Sequence, residues 1–269
     1  MTSSTLIIAT YNWPEALCLC LKSVQEQKVL PDEIIIADDG SGEATAILIK
    51  DFQKDFPVEI KHIWHPDEGF RLAAIRNKGI AASNGDYIIQ IDGDLILDPH
   101  FIEDHLAIRK PGYFVAGSRV MLCESSSIGL LRNCSINLKK YGSQKLVING
   151  IRNSFLRNIL AERYKIKGKH KYYVKGCNMA FAKRDLIKVN GYNEAFKGWG
   201  SEDREIAIRL INAGVKKQSL KMGAVCFHLF HGVRSRNVEI ENEAKMKAAI
   251  EQNLVEAPEG LNKYLITQH

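Results

Sequence analysis

Nothing in the chain stays apolar for long enough to cross a bilayer. A membrane-spanning helix needs about 18 to 20 consecutive apolar residues, and no run in these 269 residues reaches that length. The N-terminus enters a β-rich run within a few residues, with no basic-then-apolar leader ahead of it, so the expected location is the cytoplasm. The six cysteines, at positions 18, 20, 123, 134, 177 and 226, include no Cys-x-x-Cys pair and no regular framework. Reduced thiols are the simplest account of them. Both familiar phosphate loops, Gly-x-Gly-x-x-Gly and Gly-x-x-x-x-Gly-Lys-Ser/Thr, are missing. So are repeats of about 20 to 50 residues and low-complexity tracts. Acid is nearly absent from one stretch: between Arg132 and Lys175, twelve Lys/Arg face a single acid, Glu162, in a chain whose total charge is +6. The remainder is therefore net acidic. Such a segment can attract anionic lipid head groups, nucleic acid or an acidic glycan, or be a plain solvated face.

What is present is organised around Gly85-Asp-Tyr-Ile-Ile-Gln-Ile-Asp-Gly-Asp-Leu-Ile-Leu-Asp-Pro99. The apolar run from Tyr87 to Ile91 reads as a buried strand. It ends in two carboxylates, Asp92 and Asp94, on either side of Gly93, which lets the chain turn without a Cβ clash. In an open α/β sheet, ligands bind outside the carboxyl ends of the strands. Two oxygen ligands without a nearby thiol suit Mg²⁺ or Mn²⁺. A solvated Asp-Gly-Asp turn is the plainer alternative.

Upstream, Thr5–Thr10, Glu33–Ala37 and Val58–Trp64 read as further strands. Helical patterns follow each of them: one opening at Pro14 with Asn12 as a cap, one over Glu43–Phe56, one over Arg71–Ser83. This alternation predicts a mostly parallel central sheet flanked by helices, an α/β fold. Parallel strands point one way, so Thr10–Asn12, Asp38–Ser41 and Asp92–Asp94 should gather on one rim. Three polar clusters on one rim describe a nucleotide pocket whose phosphates are held by a metal and side chains.

Past residue 112 the pattern loosens. Tyr113–Val120, Val174–Ala182 and Val225–His231 are strand-like, and Leu122–Lys175 is irregular. Glu202 and Asp203 open a helix after Gly198-Trp-Gly-Ser201, where the positive helix end favours the ionised form of an acid. Regular alternation would put His228 and His231 on opposite faces, so only one should serve a given ion. Val238–Leu254 reads as an amphipathic C-terminal helix.

With these stretches in hand, the chain resembles the inverting family-2 glycosyltransferases, whose nucleotide-sugar-binding fold is called GT-A. The likeness rests on Ala9-Thr-Tyr-Asn12, Asp38-Asp-Gly-Ser41, Asp67-Glu-Gly-Phe-Arg71, Ala74-Ile-Arg-Asn77, Asp92-Gly-Asp94, Gly198-Trp-Gly-Ser-Glu-Asp203 and His228-Leu-Phe-His231. The Gly-Trp-Gly-x-Glu-Asp block is most similar to chondroitin-polymerase-type and β-1,4-galactosyltransferase-type enzymes. One departure is Ala9, where the family has proline.

The resemblance implies a metal-dependent transfer of a hexose or N-acetylhexosamine from a UDP-sugar to a hydroxyl of a glycan or lipid-linked glycan, in bacterial surface-polysaccharide synthesis. It implies that Thr10, Tyr11, Asn12 and Asp39 meet the uracil and ribose, and that Arg76, Asp92 and Gly93 lie by the nucleotide. Asp94, His228 and Asp92 would hold Mn²⁺ or Mg²⁺, and Trp199 would floor the sugar site. Asp203 would be the general base and Glu202 would bind the acceptor. Residues 1–118 would then be the donor lobe, 119–231 the acceptor and catalytic lobe, and 232–269 a helical arm. The basic 132–175 segment would serve acceptor binding or peripheral docking on the inner membrane face, with nucleic acid the less favoured partner. Two other readings compete: a catalytically inactive module binding glycan or nucleic acid, and a sugar nucleotidyltransferase. The missing glycine-rich phosphate loop counts against the nucleotidyltransferase.

Overall fold

A computed structural model describes residues 3–141, 148–232 and 238–265. Parts of the basic segment and of the C-terminal arm therefore lie outside the described residues. The first half alternates as its pattern requires: β1 (Ser4–Thr10), α1 (Pro14–Gln25), β2 (Glu33–Asp38), α2 (Glu43–Asp55), β3 (Glu59–Trp64), α3 (Leu72–Ala82) and β4 (Tyr87–Asp92). These four strands are parallel neighbours; the runs of β1, β2 and β4 are buried on both faces, while β3 at the sheet edge is half exposed. Alternation divides the runs: Leu6, Ile8, Ile34 and Ile36 pack toward α1 and α2, while Ile7 and Ile35 pack toward α3.

The second half adds β5 (Leu95–Leu97), α4 (Phe101–Ile108), β6 (Tyr113–Ala116), β7 (Val120–Met121), α5 (Glu124–Arg132), α6 (Leu138–Tyr141) and α7 (Ser154–Ala161). Then come β8 (Asn178–Ala182), α8 (Lys183–Lys188), α9 (Glu202–Asn212), β9 (Lys216–Ser219), β10 (Cys226–His228), α10 (Glu239–Glu251) and α11 (Asn262–Leu265). The main sheet has seven strands in the order β3-β2-β1-β4-β8-β6-β9, with β8 antiparallel to both neighbours. One sheet thus runs through both halves of the chain. A small second sheet, β5-β10-β7, leaves it at Gly93. The Gly93 N–H donates to the Ala9 carbonyl at 2.8 Å, and a Cβ there would come within 3.1 Å of that oxygen. A side chain there would have to push the end of β1 back by a few tenths of an ångström, so glycine suits the turn. No helix among the described residues is long and apolar enough to cross a membrane.

Several expected boundaries move. Tyr113–Val120 is two strands in different sheets: Val115 and Ala116 pair with β8, and Val120 pairs with β10. In Val174–Ala182 only the part from Asn178 pairs, and β10 stops at His228 rather than running to His231. Asn12 does not cap α1. It has a positive φ of 46°, its side-chain carbonyl accepts from Gly42 N, and its own N–H donates to Ser41 Oγ. It ties the loop after β1 to the loop after β2, while Pro14 fits the first turn of α1 without a side-chain cap.

Candidate functional site

The strand order reverses between β1 and β4, where an open α/β sheet forms its crevice. A cavity of about 660 Å³ opens there, with Thr10, Asp92 and Asp94 on one side and Trp199, Glu202 and Asp203 on the other.

At its β5–β10 end, Asp94 meets two histidines. The His228 Nε2 is 3.4 Å from Asp94 Oδ1, and the His231 Nε2 is 3.5 Å from Asp94 Oδ2. Each ring donates its Nδ1–H to a main-chain carbonyl, His228 to Leu229 and His231 to Gly232, both at 2.8 Å. A carbonyl can only accept, so Nδ1 carries the proton and Nε2 presents a lone pair toward Asp94. Burial, with Arg119 nearby, pushes the His228 imidazolium down to about 4, which leaves the ring neutral at ordinary pH. One atom from each of the three residues lies within 4.8 Å of the others. The expectation that only one of the histidines faces the acid fails, because β10 ends at His228 and the alternation rule has no strand to act on beyond it. One carboxylate and two imidazoles oriented from behind suit a divalent cation such as Mn²⁺. Asp92 is not in this cluster; the structure directs its Oδ1 to Arg76 instead.

At the other end lies the acid pair. Gly198, Gly200 and Ser201 all adopt positive φ, at 71°, 112° and 71°, and this lead-in aims the first turn of α9 at the cavity. Arg76, 1 % exposed on α3, stands between the two ends. Its Nη2 donates to Asp92 Oδ1 at 3.0 Å and its Nη1 to Asp203 Oδ1 at 2.8 Å, and Nη1 is 3.9 Å from Glu202 Oε1. The Tyr192 ring lies under the guanidinium, 5.2 Å to its centroid. Burial, then the neighbouring Asp203, pushes Glu202 up to about 7. Burial also raises Asp203, with the Arg76 charge opposing it. The positive helix end is thus outweighed by desolvation, and Arg76 is what favours the ionised Asp203. Gly176 faces the same carboxylate so closely that a Cβ there would overlap it.

The remaining rim residues are placed as follows. Thr10 is 8 % exposed at the end of β1. The Tyr11 ring is exposed, and its hydroxyl donates to Asp67 Oδ2 at 2.8 Å. Asp39 is buried, accepting from Arg71 N at 2.9 Å and pairing with His65 Nε2 at 2.7 Å. Trp199 lies partly exposed on the cavity wall. Asn12 is held by the Ser41–Gly42 loop and does not line the cavity. Arg71 pairs with Glu68 at 2.7 Å. Sequence reasoning missed Arg119 and Trp13. Arg119 lines the cavity with Nη1 3.3 Å from Cys177 Sγ, and its only signal was a lone cation closing an apolar run. Trp13 meets the His231 ring edge-on, centroids 6.1 Å apart. Tyr173 and Lys175 bring the end of the basic segment to the same cavity.

Comparison with known proteins agrees with this geometry. A family model described as glycosyl transferase family 2 matches residues 5–187, and one described as the N-terminal domain of galactosyltransferase matches residues 157–232. A chondroitin synthase of Escherichia coli is 28 % identical over 246 residues, which cover 83 % of this chain and 34 % of that protein. A hyaluronan synthase of Pasteurella multocida is 26 % identical over 226 residues, 78 % of this chain and 23 % of that protein. The chain thus spans about a third or less of the length of these relatives. The crystal structure of S. aureus TarS 1–349 in complex with UDP-GlcNAc superposes with a TM-score of 0.68 at 14 % identity, covering 97 % of this chain and 69 % of that one. That likeness establishes the GT-A fold.

Proposed function

The chain belongs to glycosyl transferase family 2, and from that premise we propose that it moves a hexose or N-acetylhexosamine from a UDP-sugar to a glycan hydroxyl in one inverting displacement. The product would be a bacterial surface polysaccharide. One observation supports this above the others: a single cavity joins the Asp94–His228–His231 cluster to the Glu202–Asp203 pair, with Arg76 between them.

In this reading Asp94, His228 and His231 would hold Mn²⁺ or Mg²⁺, which when bound would supply charge neutralisation for a departing diphosphate, an effect of several kcal/mol. Thr10, Tyr11 and Asp39 orient the uridine, and Trp199 presents an aromatic floor to the sugar. Arg119 adds a positive charge to the same wall. Arg76 holds Asp92 and Asp203 through separate nitrogens, fixing the distance between the donor rim and the base. Asp203 Oδ1 is held by Arg76 and lies 3.4 Å from the Tyr192 hydroxyl, and in this reading the carboxylate takes the proton from the acceptor hydroxyl. A positioned carboxylate of this kind contributes about 10²- to 10⁴-fold. Glu202 orients the acceptor beside it. The acceptor is a glycan or lipid-linked glycan, and the basic 132–175 segment brings the chain to an anionic membrane face.

The test is release of UDP from a panel of UDP-sugars with Mn²⁺ present, followed by an acceptor array. Hydrolysis or transfer from one donor is the expected outcome. Indifference to every nucleotide sugar would return the chain to the reading of an inactive glycan-binding module.

A further inference from the structure

Two thiols separated by 116 positions meet away from the cavity. Cys18 lies on α1 and Cys134 just past the end of α5, with their Sγ atoms 3.4 Å apart. Lys22, one turn along α1 from Cys18, places its Nζ 3.1 Å from Cys134 Sγ and 3.0 Å from the Cys134 carbonyl oxygen. Both cysteines are unbonded; Cys134 is exposed and Cys18 partly buried. Burial pushes the Cys134 thiol up, but Lys22 and Cys18 outweigh it and the net shift is downward. Burial and the neighbouring Cys134 push Cys18 up to about 11. The pair therefore divides into a surface thiol that ionises more readily, beside the Lys22 ammonium, and a partly buried neighbour that keeps its proton, the arrangement of an attacking and a resolving thiol.

We propose that Cys134 is a modification site for low-molecular-weight disulfides, with Cys18 as its resolving partner and Lys22 as the cation that activates it. The Cys134 thiolate attacks one sulfur of the small disulfide, expels the other as a thiolate, and becomes a mixed disulfide. Cys18 gives up its proton, attacks Cys134 Sγ, and expels the second small thiolate. Two protein thiols are oxidised to one Cys18–Cys134 bond, and one small disulfide is reduced to two thiols.

The elements joined by that bond flank the cation cluster. Trp13, directly before α1, packs against His231. Ser127 on α5 accepts from Phe230 N at 2.8 Å, and Leu122, just ahead of α5, donates to the His228 carbonyl at 2.9 Å. Closing the bond braces both supports of the loop that carries the histidines. The proposal is independent of the transferase reading.

The experiment uses the full chain carrying Cys123→Ser. That exposed thiol is lowered to about 7 by the Ser125 and Ser126 hydroxyls and would react in parallel. This folded variant is incubated with glutathione disulfide, alkylated and mapped by mass spectrometry without reduction. The expected product is a linked Cys18–Cys134 peptide pair that dithiothreitol reverses. With Cys18→Ser the reaction stops at a glutathione adduct on Cys134. Lys22→Met slows adduct formation roughly three- to tenfold near pH 7, through the smaller thiolate fraction. An adduct that persists on Cys134 while Cys18 is intact, first attack by Cys18, or unchanged kinetics in the lysine variant would overturn the proposal.

Discussion

A guanidinium with 1 % exposure persists only where carboxylates meet it. Arg76 meets Asp92 and Asp203 through separate nitrogens, so it serves as the ruler of the site as well as its charge balance. Asp203→Asn keeps the shape of that contact but removes the proposed proton acceptor. Turnover should fall about 10²- to 10⁴-fold while calorimetric affinity for the UDP-sugar stays within about threefold, since the proposal places the donor at the other rim. Retention of most turnover would take the base role away from this residue. Glu202 makes a different prediction. Its folded pKa of about 7 lies above the unfolded value, so between those two values the folded state binds more protons than the unfolded one. Stability contributed at this position therefore declines as pH rises through that window. Glu202→Gln removes the dependence. The variant's thermal midpoint should gain on the native protein between pH 5 and pH 8, and parallel curves would show that Glu202 ionises without cost.

At the scale of elements, what was legible followed from patterns that act locally. The runs of β1, β2 and β4 and the carboxylates that close β4 are written in consecutive residues, and burial on both faces enforces them. The misplaced boundaries depend on contacts across the chain. Tyr113–Val120 reads as one continuous run, yet Ala116 pairs with β8 and Val120 with β10. His231 reaches Asp94 because β10 is three residues long, a length set by pairing with β5 and β7 and not by its own residues. If both rings serve one cation, His228→Ala and His231→Ala should each shift the Mn²⁺ titration of activity upward. Loss of an outer-shell partner alone costs about 10- to 100-fold in metal affinity, and loss of a ligand should cost no less. A titration unmoved in the His231 variant would leave Asp94 and His228 as the surviving ligands.

For the whole molecule, net charge was readable as a sum but not as a surface. The basic segment directs Arg152 and Arg157 inward onto Asp104, which is fully buried. Lys217, from outside it, is held between the His170 and Tyr173 carbonyls. Lys110, also from outside, pairs with Glu162, the segment's lone acid. Among the described residues Arg132, Lys139 and Lys140 face outward, and so do Arg163, Lys165, Lys167, Lys169 and Lys171, which follow α7, on which Phe155 is 72 % exposed. Exposed cations and an exposed aromatic in one segment suit an anionic bilayer surface, where each Lys or Arg contributes about 1 kcal/mol, and the apolar ring adds a contribution that salt does not screen. The protein should therefore float with phosphatidylglycerol vesicles and not with phosphatidylcholine vesicles, and Lys165→Glu with Lys167→Glu should lower recovery sharply. Phe155→Ser should weaken binding most visibly at high salt, where the charge contribution is smallest. Equal recovery on both lipids would redirect the segment to an acidic glycan, and competition by soluble chondroitin against neutral dextran would then show whether the same lysines face the acceptor.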